Sequence, residues 1–463
     1  MSTIAWIALG SLVAWAWLLL GQGFFWRTDQ RLPRREDPAR WPSVAVVVPA
    51  RDEAEVLPVS LPSLLAQDYP GAAWIVLVDD GSKDGTGDLA RALSARYGGL
   101  PLTVASPGPP EPGWTGKLWA VRHGIAVACG RPAAGAPEAA RGHGAVGRPE
   151  AAGDYGAVGS PEAAGGGPDA VGGHGAEGRS EAAGDYGAEG RPEAAGGGPD
   201  AVGGPEYLLL TDADIAHEPD SLRELVAAAT SNRLDLVSQM ARLRVAGGWE
   251  RLVVPAFVYF FAKLYPFRWT NEHGARTAAA AGGCMLLRTE MADRARLPES
   301  IRQAVIDDVS LARAVRRAGG RLWLGLAERL DSVRPYPRLA DLWGMVSRTA
   351  YAQLRHNPLI LVGTVGGLLL VYVAPPAALC AGVFGGDAAA GALGGAAWAV
   401  MTGTYIPMLR YYRQSLWTAL LLPVTAALYL GMTVDSAVQH HRGRGAAWKG
   451  RTYPRPQAVP ERR

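Results

Sequence analysis

The chain has 463 residues, 48% of them hydrophobic and 19% charged, and its formal net charge is +3. So small a charge gives no reason to expect nucleic acid as a partner, and apolar residues crowd the two ends instead of filling roughly two or three globular domains. Basic residues cluster beside those ends, Arg27, Arg31, Arg34 and Arg35 after the first apolar run and Arg442, Arg444, Lys449 and Arg451 after the last, which suits a membrane surface.

In chain order, residues Ile4 to Phe25 carry no charge, and about 20 apolar residues are enough to cross a bilayer. A cleaved signal peptide would begin with basic residues, which MSTIAW lacks. Residues 1–26 therefore read as an uncleaved anchor, with Trp26 and the arginines behind it at the cytosolic interface.

From Trp41 to Ala128, β-rich runs alternate with helical patterns. VAVVVP (Val44–Pro49) precedes a helix near Leu57–Ala66, and WIVLVDD (Trp74–Asp80) precedes one near Asp88–Tyr97. The strand LTVA and a helix from about Lys117 to Ala128 follow. Such alternation predicts an α/β fold with a mixed, mostly parallel sheet and ligands at the strands' carboxyl ends. The first strand ends in PARDE (Pro49–Glu53) and the second in DDGSKDGT (Asp79–Thr86), so two carboxylate groups face one crevice. There they would accept hydrogen bonds from a nucleoside's base N–H and ribose hydroxyls, although Asp-Gly-Ser is also ordinary turn chemistry.

Residues 130–205 are almost entirely Gly, Ala, Pro, Glu and Asp, with EAAGDYGA at Glu150 and again at Glu181. A stacking repeat needs an apolar face, and this one has too little to bury. It is expected to be a disordered surface insertion without a chemical role. Next comes TDAD, which places Asp212 and Asp214 directly after the apolar run YLLL. Two carboxylates at a strand end reach one hard divalent cation, Mg2+ or Mn2+, which in turn would hold a diphosphate.

Leu252–Trp269 is crowded with aromatics, and Leu339–Arg355 is apolar at helical spacing. Either lies in the bilayer interface and admits a lipid, or both are core helices. Between them, Gly282 and Gly283 let the backbone approach a ligand closely, and Cys284 fits a small packing residue. The three cysteines, Cys129, Cys284 and Cys380, form neither a disulfide framework nor a zinc set and fit a reducing compartment. Asp307 and Asp308 precede the amphipathic run VSLARAVRRAG, so a helix N-terminus favours their ionised form. Helix capping is the plainer reading of the same pair.

Three apolar stretches follow, at about Pro358–Phe384, Ala388–Leu409 and Leu416–Val434. With the anchor, four full crossings would put the basic tail outside, where it should not be. One segment is therefore expected to be re-entrant or interfacial, with Pro375–Pro376 and Pro423 as candidate breaks.

Taken together, VVVPARDE, LVDDGS, GWTGKLWA, LLLTDAD and IDD stand in the order that resembles family 2 glycosyltransferases of the GT-A (nucleotide-diphospho-sugar transferase) fold. GWTGK, AAAAGGCMLL, WLGL and WKGRTYP are similar to the hopanoid-cluster subfamily. The resemblance implies an inverting transferase that moves a sugar from a UDP-sugar onto a membrane lipid, a hopanoid among the candidates, with a divalent metal. It assigns Pro49, Arg51, Glu53, Asp80, Lys117 and Asp212 to the donor. Glu53 and Asp80 would contact uridine, and Lys117 the diphosphate. Asp214 would bind metal most directly, beside Asp212. Asp308 would be the base, with Gly282, Gly283, Cys284 and Asp307 at the sugar and acceptor loop. Processive relatives carry QxxRW after the base; RPYPRLADLWG (Arg334–Gly344) stands here instead, which argues for single-sugar transfer. Polyprenyl phosphate is an alternative acceptor, with Arg334, Arg338 and Arg348 as its cations. A dead scaffold is a second alternative, against which the full set of Asp80, Asp212, Asp214 and Asp308 stands.

The expected organisation is an anchor (1–26), two halves of one catalytic domain (41–129 and 206–336) around the insert, and an interfacial helix (337–357). Membrane segments (358–438) and a basic tail (439–463) complete it. The protein is expected in the inner (plasma) membrane with the catalytic domain in the cytosol.

Overall fold

The computed structural model describes residues 1–131, 203–443, 447–448 and 451–452. The expected insert and most of the basic tail lie outside the described residues.

The chain opens with α1 (Thr3–Leu20) and then builds one sheet. Its elements run β1 (Val44–Ala50), α2 (Leu57–Leu65), β2 (Ala73–Asp79), α3 (Thr86–Tyr97), β3 (Leu102–Ala105) and α4 (Gly116–Ala128). After the insert come β4 (Tyr207–Thr211), β5 (Ile215–His217), α5 (Ser221–Ser231), β6 (Leu236–Leu243), α6 (Gly248–Leu264) and α7 (Phe267–Asn271). The domain closes with β7 (Cys284–Arg288), α8 (Thr289–Arg294), α9 (Asp307–Arg317) and β8 (Leu322–Ser332). The sheet order is β3-β2-β1-β4-β7-β6-β8-β5. The first four strands are parallel neighbours, β7 runs antiparallel between β4 and β6, and β6 and β8 are parallel again. The sheet is thus mixed and largely parallel, as the alternating pattern predicts.

All seven residues of β1 are buried, as a strand covered on both faces requires. Its period-two pleat divides them. Val46 and Val48 pack with Leu61 and Leu64 of α2 and Leu225 of α5, whereas Ala45 and Val47 pack with Trp119, Val121 and Ile125 of α4. At Gly124 a Cβ would lie 2.5 Å from Val47 Cγ1 and 2.9 Å from Val78 Cγ2. Glycine there lets α4 settle onto β1 and β2, which fixes where the first turn of α4 stands.

A third core joins Val253 and Tyr259 of α6 and Leu342 of α10 (Leu339–Gln353) to the apolar helices. These are α1, α11 (Pro358–Leu368), α13 (Ala388–Tyr411) and α14 (Leu422–His441), with α12 (Ala374–Gly385) continuing from α11 outside that core. Among the described residues, Thr3–Leu20, Pro358–Gly385 and Leu416–His441 are long and apolar enough to cross a membrane. The segment Pro358–Gly385 is α11 and α12 joined by a π turn at Leu369–Val373. Pro375 has no N–H to offer the carbonyl of Val371, four residues back. Trp15 Nε1 of α1 donates to that carbonyl instead, at 2.7 Å. The break expected at Pro375–Pro376 is therefore absorbed as a π turn, and Pro423 stands in the first turn of α14.

Small residues bring α12 and α13 together: a Cβ on Gly382 would lie 2.3 Å from Gly391 Cα. Ser2, the N-cap of α1, donates to the carboxylate of Asp387, the N-cap of α13. The N-termini of α1 and α13 thus meet at the end of the bundle remote from the sheet. At the opposite end Tyr411 donates to Ala327 O in β8 at 2.6 Å, and Gln22 Nε2 donates to Lys263 O in α6 at 3.1 Å.

Candidate active site

The sequence leaves carboxylates at strand tips, and the sheet order gathers them. PARDE after β1 and DDGSKDGT after β2 are laced together by backbone donors. Glu53 N–H donates to Thr86 Oγ1 at 2.9 Å, Ala54 N–H to Asp84 at 2.9 Å, and Lys83 N–H to Asp52 at 2.8 Å. Asp79 accepts from Ser82 N–H at 2.9 Å, the turn chemistry that Asp-Gly-Ser favours. Asp80 is buried, 3.7 Å from the Arg51 guanidinium, which also donates to its backbone carbonyl.

Lys117 opens α4 and joins the two halves of the domain. Its Nζ lies 2.9 Å from Asp212 Oδ1 beyond β4 and 3.0 Å from Asp307 Oδ2 at the start of α9. Burial opposes the ammonium charge, but the two carboxylates outweigh it and hold the lysine protonated. Asp212 is shifted upward, first by burial and then by Asp214 and Asp307, with Lys117 pulling the other way.

Asp214 Oδ2 accepts from Ser332 Oγ at 2.6 Å and faces Arg334 Nε at 3.5 Å. Arg334 also donates to Glu53 Oε2 at 2.5 Å, so it ties the β1 tip to the β8 end. Burial again works against the cation, and Asp214 and Glu53 keep it charged.

Asp308 accepts from Gly282 N–H at 2.9 Å and from Val309 N–H at 2.7 Å. A Cβ on Gly282 would stand 3.4 Å from Asp308 Oδ2 and 3.5 Å from Lys117 Nζ, so glycine allows the close approach expected of this loop. The helix N-terminus was expected to favour the ionised carboxylate. Its amide donors do pull that way, yet burial and the neighbouring Asp307 push Asp308 up to about 7.

One cavity of about 1370 Å3 is lined by Pro49, Glu53, Lys117, Asp212, Asp214, Gly282, Gly283, Asp307 and Asp308. Three expected site residues do not line it. Arg51 and Asp80 lie buried behind it, where they pair and stiffen the two loops, and Cys284 is the first residue of β7, buried with its thiol pushed up by burial. Arg334 and Ser332, which no local motif marks as donor-site residues, do line it. Their signal was only their position at the end of β8, which becomes a strand tip beside β5 through long-range pairing.

Asp212 and Asp214 offer hard oxygen donors on one side of the cavity, the donor type that suits Mg2+ or Mn2+. Among the described residues no group of three His, Cys, Asp or Glu side chains could hold a metal ion by itself. The pair fits a cation whose remaining ligands come from phosphate and water.

The same cavity continues away from the carboxylates, past Phe257 and Phe260 of α6, Tyr265 just after it, and along α10, to Thr364 and Leu368 of α11 and Tyr429 and Thr433 of α14. Both segments expected at the interface, Leu252–Trp269 and Leu339–Arg355, contribute walls.

Residues 204–454 match the family described as glycosyl transferase family 21, over more than half of the chain. The chain belongs to that family. Residues 42–135 match glycosyltransferase like family 2, so the resemblance to family 2 holds for the first half of the catalytic domain. Two curated relatives are similar over short stretches. Glycosyltransferase AglE of Haloferax volcanii is 39% identical over 64 residues, 14% of this chain and 21% of that protein. Probable glycosyltransferase YdaM of Bacillus subtilis is 33% identical over 117 residues, 24% of this chain and 27% of that protein. The chain thus spans about a quarter or less of the curated relatives it matches. In fold it is similar to the mannosyltransferase PcManGT from Pyrobaculum calidifontis, solved with GDP-Man and Mn2+. That likeness has a TM-score of 0.50 at 16% identity, covering 93% of this chain and 98% of the other, and it is one of GT-A fold.

Proposed function

We propose that this glycosyltransferase moves one sugar from a UDP-sugar to a hydroxyl group of a membrane lipid, with inversion at the anomeric carbon. The observation that carries the reading is the continuous cavity, which runs from Asp214 and Asp308 to Leu368 and Tyr429 on apolar helices. A soluble acceptor needs no such arm; a lipid does.

In this reading Glu53 and the loop held by Asp80 and Arg51 bind the nucleoside, and Lys117 and Arg334 face the diphosphate. A divalent cation on Asp212 and Asp214 would offset the charge that gathers on the departing diphosphate. Asp308 takes the proton of the acceptor hydroxyl as its oxygen attacks the anomeric carbon. The bond to the diphosphate breaks on the opposite face, and UDP leaves. A carboxyl near 7 suits this task, because the base is available at neutral pH yet strong enough to accept a proton.

The assignment of Asp308 favours a hydroxyl over a phosphate acceptor. A phosphate oxyanion has no proton for a base to take. Of the three arginines considered for an acceptor phosphate, Arg334 is assigned to the donor diphosphate and Arg338 pairs with Asp341 at 2.9 Å, which leaves Arg348 alone along the cavity. A hopanoid carrying a hydroxyl is the acceptor to which the subfamily motifs point. The catalytic domain lies on the cytosolic side, where UDP-sugars are supplied. Incubation with a panel of UDP- and GDP-sugars and extracted lipids, scored by nucleotide release and by mass spectrometry of the lipid product, tests the proposal. A glycosylated hydroxyl lipid is expected; transfer to polyprenyl phosphate would replace the acceptor assignment.

A further inference from the structure

The fourth apolar segment, Leu416–His441, is long and apolar enough to cross a bilayer, but one of its ends lies beside the catalytic domain and the other beside α10, the helix that follows that domain. Before it, Tyr411 is hydrogen-bonded to Ala327 of β8, and the Arg31 guanidinium lies 4.8 Å from the Tyr411 ring centroid. The four residue steps from Tyr412 to Leu416 reach at most about 14 Å, so the segment starts close to that sheet edge. At its other end Trp343 Nε1 donates to Asp435 at 2.9 Å, and Tyr351 N–H donates to Ser436 Oγ at 3.0 Å, both from α10. His440 stacks on His356 just after α10, with ring centroids 4.2 Å apart. Midway, the Tyr429 hydroxyl donates to Val253 O in α6 at 3.1 Å. A crossing helix would carry one end about 30 Å away, to the level where Ser2 and Asp387 meet. By contrast α13, 24 residues long and so about 36 Å, joins those two levels. It needs less apolar surface of its own because it packs against α1 and α12.

Along α14 and the turn before it, Leu416, Trp417, Leu420, Leu421, Val424 and Val434 are exposed. They form an apolar surface on the side not covered by α6 and α10, and Trp417 is of the type that seats at a headgroup boundary.

We propose that Leu416–His441 lies along the leaflet next to the catalytic domain instead of crossing the bilayer, with its exposed apolar face among the lipids of that leaflet. Three segments, α1, α11–α12 and α13, then make the crossings, and the basic residues after α14 stay on the catalytic side. Tyr429, Thr433 and Ser436 of the same helix wall the acceptor arm of the cavity. On the reading that the acceptor is a lipid, it is therefore drawn from that leaflet.

The test uses the full chain with Cys129→Ala and Cys380→Ala, Cys284 being buried. Single cysteines at exposed positions, Ala92→Cys in the catalytic domain, Ala389→Cys at the remote end and Arg442→Cys after α14, are labelled with a membrane-impermeant maleimide in sealed vesicles of both orientations. Arg442→Cys should label from the same face as Ala92→Cys, and Ala389→Cys from the other. Labelling of Arg442→Cys together with Ala389→Cys overturns the inference. As a second reading, fluorophores on Val424→Cys and Val434→Cys should be quenched at the same depth by lipid-borne quenchers. A crossing helix would separate them by about 15 Å, and that result would also overturn it. Neither measurement depends on turnover, so a failure of the proposed activity leaves a separate mark.

Discussion

Asp308 illustrates how burial and charge compete at one carboxyl. Two amide donors favour its ionised form, but burial and Asp307 prevail and place it near 7. If it is the base, activity is low where the carboxyl is protonated and rises with pH through about 7, a dependence that kcat at saturating donor should display. Asp308→Asn keeps the size and an acceptor for Gly282 N–H but cannot take the proton. A loss of ~10²–10⁴-fold in kcat is expected with donor affinity unchanged, and wild-type turnover would move the role to Asp307. Arg334 tests the other side of the site. In Arg334→Gln, Asp214 loses a competing cation while the diphosphate loses a partner. Mn2+ alone should bind more tightly by titration, and UDP-sugar more weakly; a parallel loss of both would contradict this role. Asp80, Asp212 and Asp214 were legible in the sequence because they stand at the ends of apolar strands, and Asp307 and Asp308 because they precede an amphipathic helical run. Ser332 was not, and Arg334 was legible only as a cation for an acceptor phosphate, because their place beside Asp214 depends on β8 pairing with β5 far away in the chain.

Among the elements, the parallel half of the sheet was the most legible. Its strands are continuous apolar runs divided by helical patterns, and Val44–Ala50 and Ala73–Asp79 form where those runs stand. The antiparallel insertion of β7 between β4 and β6 was not legible, since Cys284–Arg288 carries no local mark of its neighbours. Nor was the π turn, which needs Pro375 and a donor from α1 together. Packing between α4 and the sheet gives a direct test. Gly124→Val adds atoms where a Cβ alone already lies 2.5 Å from Val47 Cγ1. Overpacking of this kind costs about 1–3 kcal/mol, visible as a lower melting temperature. It should also displace Lys117, half a helix away, and weaken donor binding. An unchanged melting temperature would mean that α4 does not rest on β1 as described.

At the scale of the whole molecule, one core links the apolar helices to α6 and α10, so the membrane part is a wall of the site as well as an anchor. The parity difficulty in the sequence, four apolar runs and a basic tail, came from reading hydropathy without knowing where each run begins and ends in space. Composition alone ranks Leu416–His441 above the Gly- and Ala-rich α13 as a span, whereas the hydrogen bonds at their ends favour the reverse. Carbonate washing should leave the protein in the membrane pellet, and its release would rule out integral spans.

Lipid-dependent sugar transfer at the carboxylate cavity ties the site to the membrane helices. It is tested by nucleotide release from UDP-sugar by the purified full chain, with and without membrane lipid, beside Asp308→Asn. Release that requires lipid and falls by at least ~10²-fold in the variant is the predicted result. Release that is indifferent to lipid would rule out a lipid acceptor, and equal release by the two proteins would rule out Asp308 as the base.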